Sequence, residues 1–272
     1  MTPLTFTLRG IGLLGPGLAS WAESRDILAG RSALGLGPTA LPMPLRLPSA
    51  ERRRAGAAIK LALAVADQAV DQAGVDARAL ATVFTASSGE GAICHALCDA
   101  LARPERLVSP TRFTNSVHNA AAGYWHISMA NRAASTSLCA LDGGFGAGLL
   151  EAATQVAVSG APVLLVATDT PYPQPLHACR QLPDHFGLAL VLAPSGTAGA
   201  LAAVQLSFDD TTRGLPPTPA AGAALERLRA SIPAAAGLTL LEAVARPARE
   251  SRVLLDCPNG LRLCVDVLME LP

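Results

Sequence analysis

The feature that most constrains this chain is a short strand-like run that leads straight into a glycine-rich helix start. Residues 135–139 read Ser-Thr-Ser-Leu-Cys, and residues 142–148 read Asp-Gly-Gly-Phe-Gly-Ala-Gly. A strand–turn–helix corner of this kind exposes one side chain at the top of a sheet and aims the first N–H groups of the helix at any ligand there. Because many enzymes place a nucleophile at such a corner, the candidate residues are Asp142 and Cys139.

The composition predicts a well-packed α/β protein. Of the 272 residues, 50% are hydrophobic and 15% are charged, which is typical of a chain that buries a large core and excludes a disordered one. Basic and acidic residues are balanced at 21 each. The one basic run, Arg52 to Arg54, opens a predicted helix and indicates a solvated face. We therefore expect no nucleic-acid partner.

Nothing in the sequence predicts a membrane or metal site. The N-terminus has no basic segment followed by an apolar stretch, and no apolar run reaches the roughly 18–20 residues that span a bilayer. We therefore expect a cytoplasmic protein without a membrane span. The six cysteines lack paired zinc-ribbon spacing and are expected to be small buried hydrophobes. Cys94, His95 and Cys98 fall in a predicted helix without a second ligand pair, so we expect no metal.

Strands alternate with helices along the chain, which predicts a parallel or mixed sheet with helices on its faces. Strands are expected at residues 5–14, 83–86, 135–139, 163–167, 186–193 and 200–208, and helices at residues 21–29, 51–73, 90–102, 115–130, 142–158 and 221–231. The helix at 142–158 is rich in Gly and Ala on every side. We expect it to be buried, as a central layer between two sheets would be.

The character of the sequence changes after about residue 211. Residues 211–237 are rich in Pro and Ala. Further on, two strand-like runs flank Pro258-Asn259-Gly260, which is typical of a hairpin because Asn and Gly readily adopt positive φ. We therefore divide the chain into residues 1–210 and a reduced segment, 211–272, that ends in a β-hairpin and packs in the same domain.

Motifs in the first 205 residues carry a family resemblance. They are Gly10-Ile11-Gly12, Leu28-Ala29-Gly30-Arg31-Ser32, Phe113-Thr114-Asn115, Ala122-Gly123, Ala134-Ser135, Glu151-Ala152 and the run from Gln181 to Gly187. Together they resemble the amino-terminal half of β-ketoacyl synthases, which have the thiolase fold. The run from Asn115 to Trp125 further resembles the short chain length factors of aryl-polyene and xanthomonadin-type pigment clusters. The resemblance implies a thiolase-like layered α/β fold with a complete first half and a reduced second half.

The resemblance also implies that the condensing chemistry is missing. In active members the nucleophilic cysteine lies seven residues after the serine of a Gly-Pro-Ser element, and counting from Ser135 leads to Asp142. A carboxylate cannot form the acyl thioester on which Claisen condensation depends. Active members also use two histidines from their carboxy-terminal half to stabilise an oxyanion, but all five histidines here precede residue 186. We therefore expect no catalytic residue and no cofactor.

The partners implied by the resemblance are a catalytic ketosynthase subunit, in a heterodimer, and an acyl carrier protein with a growing acyl chain. The process would be fatty-acid- or polyketide-like aryl polyene biosynthesis. In this family the strand before the elbow helix is the usual subunit contact, so residues near 113–140 are expected to face the partner. The expected tunnel or interface residues are Phe113, Asn115, His118, Asn119, Tyr124, Trp125 and Phe145. Of these, Tyr124 and Trp125 fit core packing equally well.

Two other functions stay open. Cys139 with His118 as its base would make an autonomous cysteine-dependent acyltransferase or ketosynthase. A homodimeric scaffold would instead only bind the carrier protein. At the level of single residues, Asp142 is expected to cap the following helix, and His118 and His126 are expected to hydrogen-bond loop carbonyls.

Overall fold

The computed structural model describes residues 3–35, 37–246 and 250–268. These residues contain eight strands: β1 (Leu4–Leu14), β2 (Ala81–Ala86), β3 (Ser135–Cys139), β4 (Val163–Asp169), β5 (Phe186–Pro194), β6 (Ala202–Phe208), β7 (Glu250–Asp256) and β8 (Arg262–Leu268). They form one sheet in the order β3-β2-β4-β5-β1-β6-β8-β7. β2 runs parallel to β3 and to β4, and the other neighbours are antiparallel. The mixed sheet is therefore confirmed.

The helices mostly follow the sequence pattern. They are α1 (Trp21–Leu28), α2 (Ser49–Arg54), α3 (Ala57–Ala73), α4 (Gly91–Ala102), α5 (Pro110–Thr114), α6 (Ala120–Met129), α7 (Gly144–Ser159), α8 (Leu176–Cys179), α9 (Ala223–Ser231) and α10 (Leu238–Ala245). The single helix expected at 51–73 is two helices, because Ala55 and Gly56 adopt extended backbone between them. The helix expected at 115–130 begins only at Ala120, and α5 precedes it. None of the described helices is both long and apolar enough to cross a membrane.

The C-terminal hairpin continues the main sheet. β7 and β8 pair antiparallel, and β8 also pairs with β6. Asn259 and Gly260 take φ of +63° and +71° in the turn, the conformation for which their sequence is suited. Residues 250–268 thus extend the main sheet by two strands. The division of the chain at residue 210 stays a prediction.

One face of the sheet is covered by α3, which lies unusually close to β1. A Cβ atom added to Gly12 would lie 1.8 Å from the carbonyl oxygen of Val65, so only a glycine fits between strand and helix. Two glutamines of α3 complete the contact, because the Gln72 and Gln68 side-chain oxygens accept from the N–H groups of Ile11 (2.7 Å) and Leu13 (2.9 Å). This close approach fixes α3 against the sheet and forms the hydrophobic core on that face.

The opposite face carries α7, the glycine-rich helix that begins at the elbow. It is buried as the sequence predicts, yet the described residues hold one sheet, so the expected layer between two sheets is not present. The sheet instead curves, so that α7 contacts β2 and β4 near one end and β7 at the other. Gly146 faces the carbonyl oxygen of Asp256 at the end of β7, and a Cβ atom there would lie 2.2 Å from it. One curved sheet thus encloses this helix.

Residues that connect α1 to α3 are fixed to α3 by a cluster of one arginine and two aspartates. Arg46 donates to Asp71 at 2.7 Å, whereas its Nε lies 3.7 Å from Asp67 Oδ1, which has no hydrogen-bond partner. Burial raises the pKa of Asp67 to about 6, an effect that the charge of Arg46 only partly offsets. The folded protein therefore binds a proton here more tightly than the unfolded chain does.

This shift predicts that Asp67 weakens the fold as pH rises. A carboxyl group with a raised pKa in the folded state stabilises the protein below about pH 4, and this contribution is lost as pH rises towards 6. We expect Asp67→Asn to raise the free energy of unfolding by about 1–2 kcal/mol at neutral pH and to change it little near pH 4. Urea denaturation of both proteins at the two pH values measures this. An equal effect at both would contradict the assignment.

Candidate functional site

The three parallel strands end together, and α7 begins at the same edge. Ala86 ends β2, Cys139 ends β3 and Asp169 ends β4. In α/β proteins, loops that follow the carboxyl ends of parallel strands form the usual binding crevice. The elbow motif of the sequence therefore lies where such a fold places its chemistry.

The turn between β3 and α7 is a strained corner with Asp142 on its outer side. Leu141 has φ of +48° and is 64% exposed, which is unfavourable for a branched side chain. The Asp142 side chain is 77% exposed and accepts a hydrogen bond from the Arg180 guanidinium. The N-cap of α7 is Gly143, without a side-chain cap, so the predicted capping role of Asp142 is wrong. The carboxylate pairs with the guanidinium of Arg180 and not with the first amides of α7.

Cys139 lies at the end of an edge strand and contacts a histidine. Its Sγ is 3.7 Å from His118 Nδ1, and the cysteine is exposed. Although the residue as a whole is exposed, partial burial of its sulfur, with a further contribution from the charge of Asp169, raises the pKa of the Cys139 thiol. The thiol is therefore protonated at neutral pH, and it needs a base before it can act as a nucleophile. The expectation that His118 binds a loop carbonyl is wrong.

The expectation that all six cysteines are buried is also wrong. Cys257 and Cys264 are buried, but the other four, Cys94, Cys98, Cys139 and Cys179, are exposed. The exposed cysteines lie on α4, at the end of β3 and on α8, so these elements are on the surface of the chain. Among the described residues, no group of three or more potential ligands has the geometry of a metal site.

A buried aspartate that sequence reasoning missed lies beneath the elbow. Asp169 is 5% exposed, and it accepts hydrogen bonds from the backbone N–H groups of Ser87 (2.9 Å) and Ala234 (2.7 Å). Burial raises the pKa of its carboxyl group, while these bonds and the charge of Arg180 act in the opposite direction. Asp169 ties β2 and β4 to the C-terminal segment. The sequence signal that could have identified Asp169 is an acidic residue at the end of an apolar strand.

An open groove of about 630 Å³ runs beside the elbow. Most of its surface is apolar, and Arg180, His118 and the thiols of Cys94, Cys139 and Cys179 also line it. Exposed apolar side chains come from the same segments: Phe113 is 68% exposed, Val117 51%, Leu141 64% and Leu176 47%. A concave, mostly apolar surface with a few convergent polar groups is the usual form of a ligand or partner site.

The remaining predicted residues divide between surface and core. Asn115 is buried, where its side chain donates to the Arg54 carbonyl oxygen and accepts from the Tyr124 hydroxyl. Trp125 and Phe145 are 0% and 1% exposed, so within this chain both act as core residues. Asn119 is exposed at the start of α6. The tunnel or interface role stays a prediction for this set.

His126 has the structural role that the sequence predicts. Its Nδ1 lies 3.2 Å from the Asn131 carbonyl oxygen, and its Nε2 lies 3.4 Å from Thr82 Oγ1. The contact with Thr82 ties α6 to β2, and the contact with Asn131 ties α6 to the residues that follow it.

Comparisons with known proteins agree with this geometry. A profile described as "Beta-ketoacyl synthase, N-terminal domain" matches residues 28–236. No curated protein matches the chain. A chain in the structure of the ketosynthase ApeO in complex with its chain length factor ApeC from Xenorhabdus doucetiae is 20% identical, with a TM-score of 0.70; 96% of this chain and 99% of that chain are covered.

Two further solved structures have similar coverage. A chain of the ishigamide ketosynthase/chain length factor is 16% identical with a TM-score of 0.71, covering 99% of this chain and all of that one. A chain of AntDE:AntF, a type II polyketide synthase acyl carrier protein with its ketosynthase, is 12% identical with a TM-score of 0.73, covering 98% and 99%. At these identities the likeness establishes the fold. The family match spans most of the sequence, so the chain belongs to the β-ketoacyl synthase N-terminal domain family and has its thiolase-like fold.

Proposed function

We propose that this chain is a non-condensing, chain-length-factor subunit that pairs with an active ketosynthase. The observation that supports the proposal is the pairing of Asp142 with Arg180 at the elbow, the position to which the family resemblance assigns the nucleophilic cysteine of active members. Condensation requires a group that forms an acyl thioester at this point. A carboxylate cannot do so.

The surface near the elbow supports a partner. Within the described ranges, β3 pairs only with β2, so its other edge is open. An open edge presents unpaired backbone groups that readily add another strand. Exposed apolar residues lie close to its carboxyl end. Leu141 follows β3 directly, Phe113 and Val117 lie in the segment before His118, whose ring contacts Cys139, and Leu176 lines the same groove as Cys139. Burial of this surface against a ketosynthase would satisfy both the edge and the apolar side chains.

We further infer that the partner supplies the chemistry for an acyl chain carried on an acyl carrier protein. The structures with similar folds are ketosynthases with a chain length factor or with an acyl carrier protein, and this supports the choice of partners. In the proposal the process is aryl polyene synthesis. Residues 211–272 would serve as the reduced second half, which Ala234 links to Asp169.

Restoring a thiol at the elbow is expected to leave condensation undetectable. Asp142→Cys supplies the nucleophile, but no histidine follows residue 185 to stabilise the oxyanion. Loss of one such donor costs about 10²–10³ in rate, so two missing donors place the variant roughly 10⁴-fold or more below a ketosynthase. Mass spectrometry of the carrier-protein products, with malonyl and acyl carrier proteins as substrates, measures this. A rate within tenfold of a ketosynthase would overturn the proposal.

Co-expression with the ketosynthase encoded nearest to this chain tests the pairing. We expect a 1:1 complex by size-exclusion chromatography with light scattering, whereas the chain alone should self-associate or aggregate. A stable monomer that does not bind the ketosynthase would contradict the proposal. A homodimer that binds only the carrier protein would favour the scaffold alternative.

A further inference from the structure

We propose that Asp169 and Asn115 are positioning residues, which hold the two ends of one surface segment in the shape that the ketosynthase binds. The segment consists of residues 88–114, which include α4 and α5, and we call it the α4–α5 segment. This inference rests on the proposed function and deepens it, because it assigns the geometry of the partner surface to two buried side chains of this chain.

The α4–α5 segment has no buried residue of its own. All of residues 88–114 are described by the structure, and each is exposed or half-buried. Its apolar side chains include Leu101, Leu107 and Phe113, which are 55%, 81% and 68% exposed. A region with few buried apolar contacts has low local stability. The position of the segment therefore depends on how its two ends are held.

Asp169 holds the first end of the segment through Ser87, the residue that precedes it. Ser87 is buried, and its N–H donates to Asp169 Oδ1 at 2.9 Å. The other carboxylate oxygen, Oδ2, accepts from the Ala234 N–H at 2.7 Å. An ionised carboxylate accepts both bonds, whereas an amide has only one accepting oxygen. Tyr172 supports the same end, because its hydroxyl lies 2.6 Å from Ser88 Oγ.

Asn115 holds the other end of the segment. It is buried, its Nδ2 donates to the Arg54 carbonyl oxygen at 3.0 Å, and its Oδ1 accepts from the Tyr124 hydroxyl at 3.2 Å. The two bonds join the segment to α2 and α6. Phe113 lies two residues before this anchor and Val117 two residues after it. A shift of Asn115 would therefore move both of these exposed apolar side chains.

The two anchors matter for binding because they fix the segment before the partner arrives. A partner that binds a loosely held segment must first order it, and this ordering lowers the affinity. Residues 88–114 span the distance between the end of β2 and the exposed side chains next to the open edge of β3. Loosening either anchor is therefore expected to weaken pairing while the sheet stays folded.

The first test compares Asp169→Asn with the wild-type chain. The variant leaves one buried N–H without its acceptor, which changes a local equilibrium by roughly tenfold or more. We expect the amides of residues 88–102 to exchange at least tenfold faster in the free variant, measured by hydrogen–deuterium exchange and mass spectrometry. We also expect the affinity for the ketosynthase to fall at least tenfold in a pull-down titration. Unchanged exchange at these amides would overturn the proposal.

Asp266→Asn is the matched control in another part of the sheet. Asp266 is likewise buried, and its two oxygens accept from Arg252 at 2.6 and 3.0 Å across the pair of β7 and β8. We expect this variant to lower the melting temperature but to keep the wild-type exchange of residues 88–102 and the wild-type affinity. If both aspartate variants changed exchange and affinity equally, Asp169 would act only through global stability, and the proposal would be overturned.

Tyr124→Phe tests the second anchor with a change that preserves the shape of the core. It removes the hydroxyl that donates to Asn115 and leaves the bond to Arg54 in place. We expect about three- to tenfold faster exchange at residues 110–117 and a similar loss of affinity. Faster exchange with wild-type affinity in both anchor variants would overturn this inference and leave the proposed function intact. Absence of pairing in the wild-type chain would instead contradict the proposed function.

Discussion

Replacing Phe113 and Val117 by aspartate is expected to abolish co-purification with the ketosynthase. Both side chains are more than half exposed in this chain, so the double variant should fold as the wild type does. In a complex, the two carboxylates would be buried without partners in an apolar contact. Loss of an aromatic anchor and burial of a charge together predict a fall in affinity of at least about 100-fold, or roughly 3 kcal/mol.

The matched control for this experiment is Val158→Asp. Val158 is 84% exposed near the far end of α7, about 20 Å from the elbow by the rise of the helix. The substitution Val158→Asp makes the same apolar-to-acid change, but on a surface that the proposal leaves free. We expect it to keep the wild-type affinity in a pull-down titration. If both proteins bind equally well, the interface lies elsewhere.

Adding one methyl group to Gly146 is expected to cause a large loss of stability. Its Cβ atom would lie 2.2 Å from the Asp256 carbonyl oxygen, and neither backbone can move without opening the contact between α7 and β7. Overpacking of this kind costs about 1–3 kcal/mol or more. We expect Gly146→Ala to lower the free energy of unfolding by about 3 kcal/mol and the melting temperature by roughly 5–10 °C.

Gly123→Ala is the corresponding control in another helix. Gly123 lies inside α6, and a Cβ atom there would meet nothing within 4 Å. The same substitution should therefore stabilise the protein by up to about 1 kcal/mol, because alanine is the better helix former. Urea denaturation followed by circular dichroism measures both variants. If Gly146→Ala were also neutral or stabilising, β7 would not pack on α7.

The first half of the fold could be predicted because its signals are local. Alternation and apolar runs give the strands, and the small residues of α7 show that it is closely packed. α10 was missed because all eight of its residues are buried. It therefore has no polar face that would show a helical period in the sequence. The break at Ala55 and Gly56 was missed because one glycine does not exclude a continuous helix.

The site was harder to predict because its contacts are distant in sequence. Arg180 lies 38 residues after Asp142, and no local pattern connects them, so helix capping was the better guess from sequence alone. The exposure of Cys139 depends on the strand order, which places β3 at the edge of the sheet. The apolar neighbours of Cys139 in the sequence therefore led to the wrong prediction that its thiol is buried.

The most direct test of the account is condensation by the reconstituted pair. The ketosynthase complex with the wild-type chain is compared with two complexes, one in which the ketosynthase nucleophile is replaced by alanine and one in which Asp142 of this chain is replaced by alanine. We expect product from the wild-type complex and from the Asp142→Ala complex, and none when the ketosynthase lacks its nucleophile. Product formed without that nucleophile would show that this chain condenses by itself and would contradict the account.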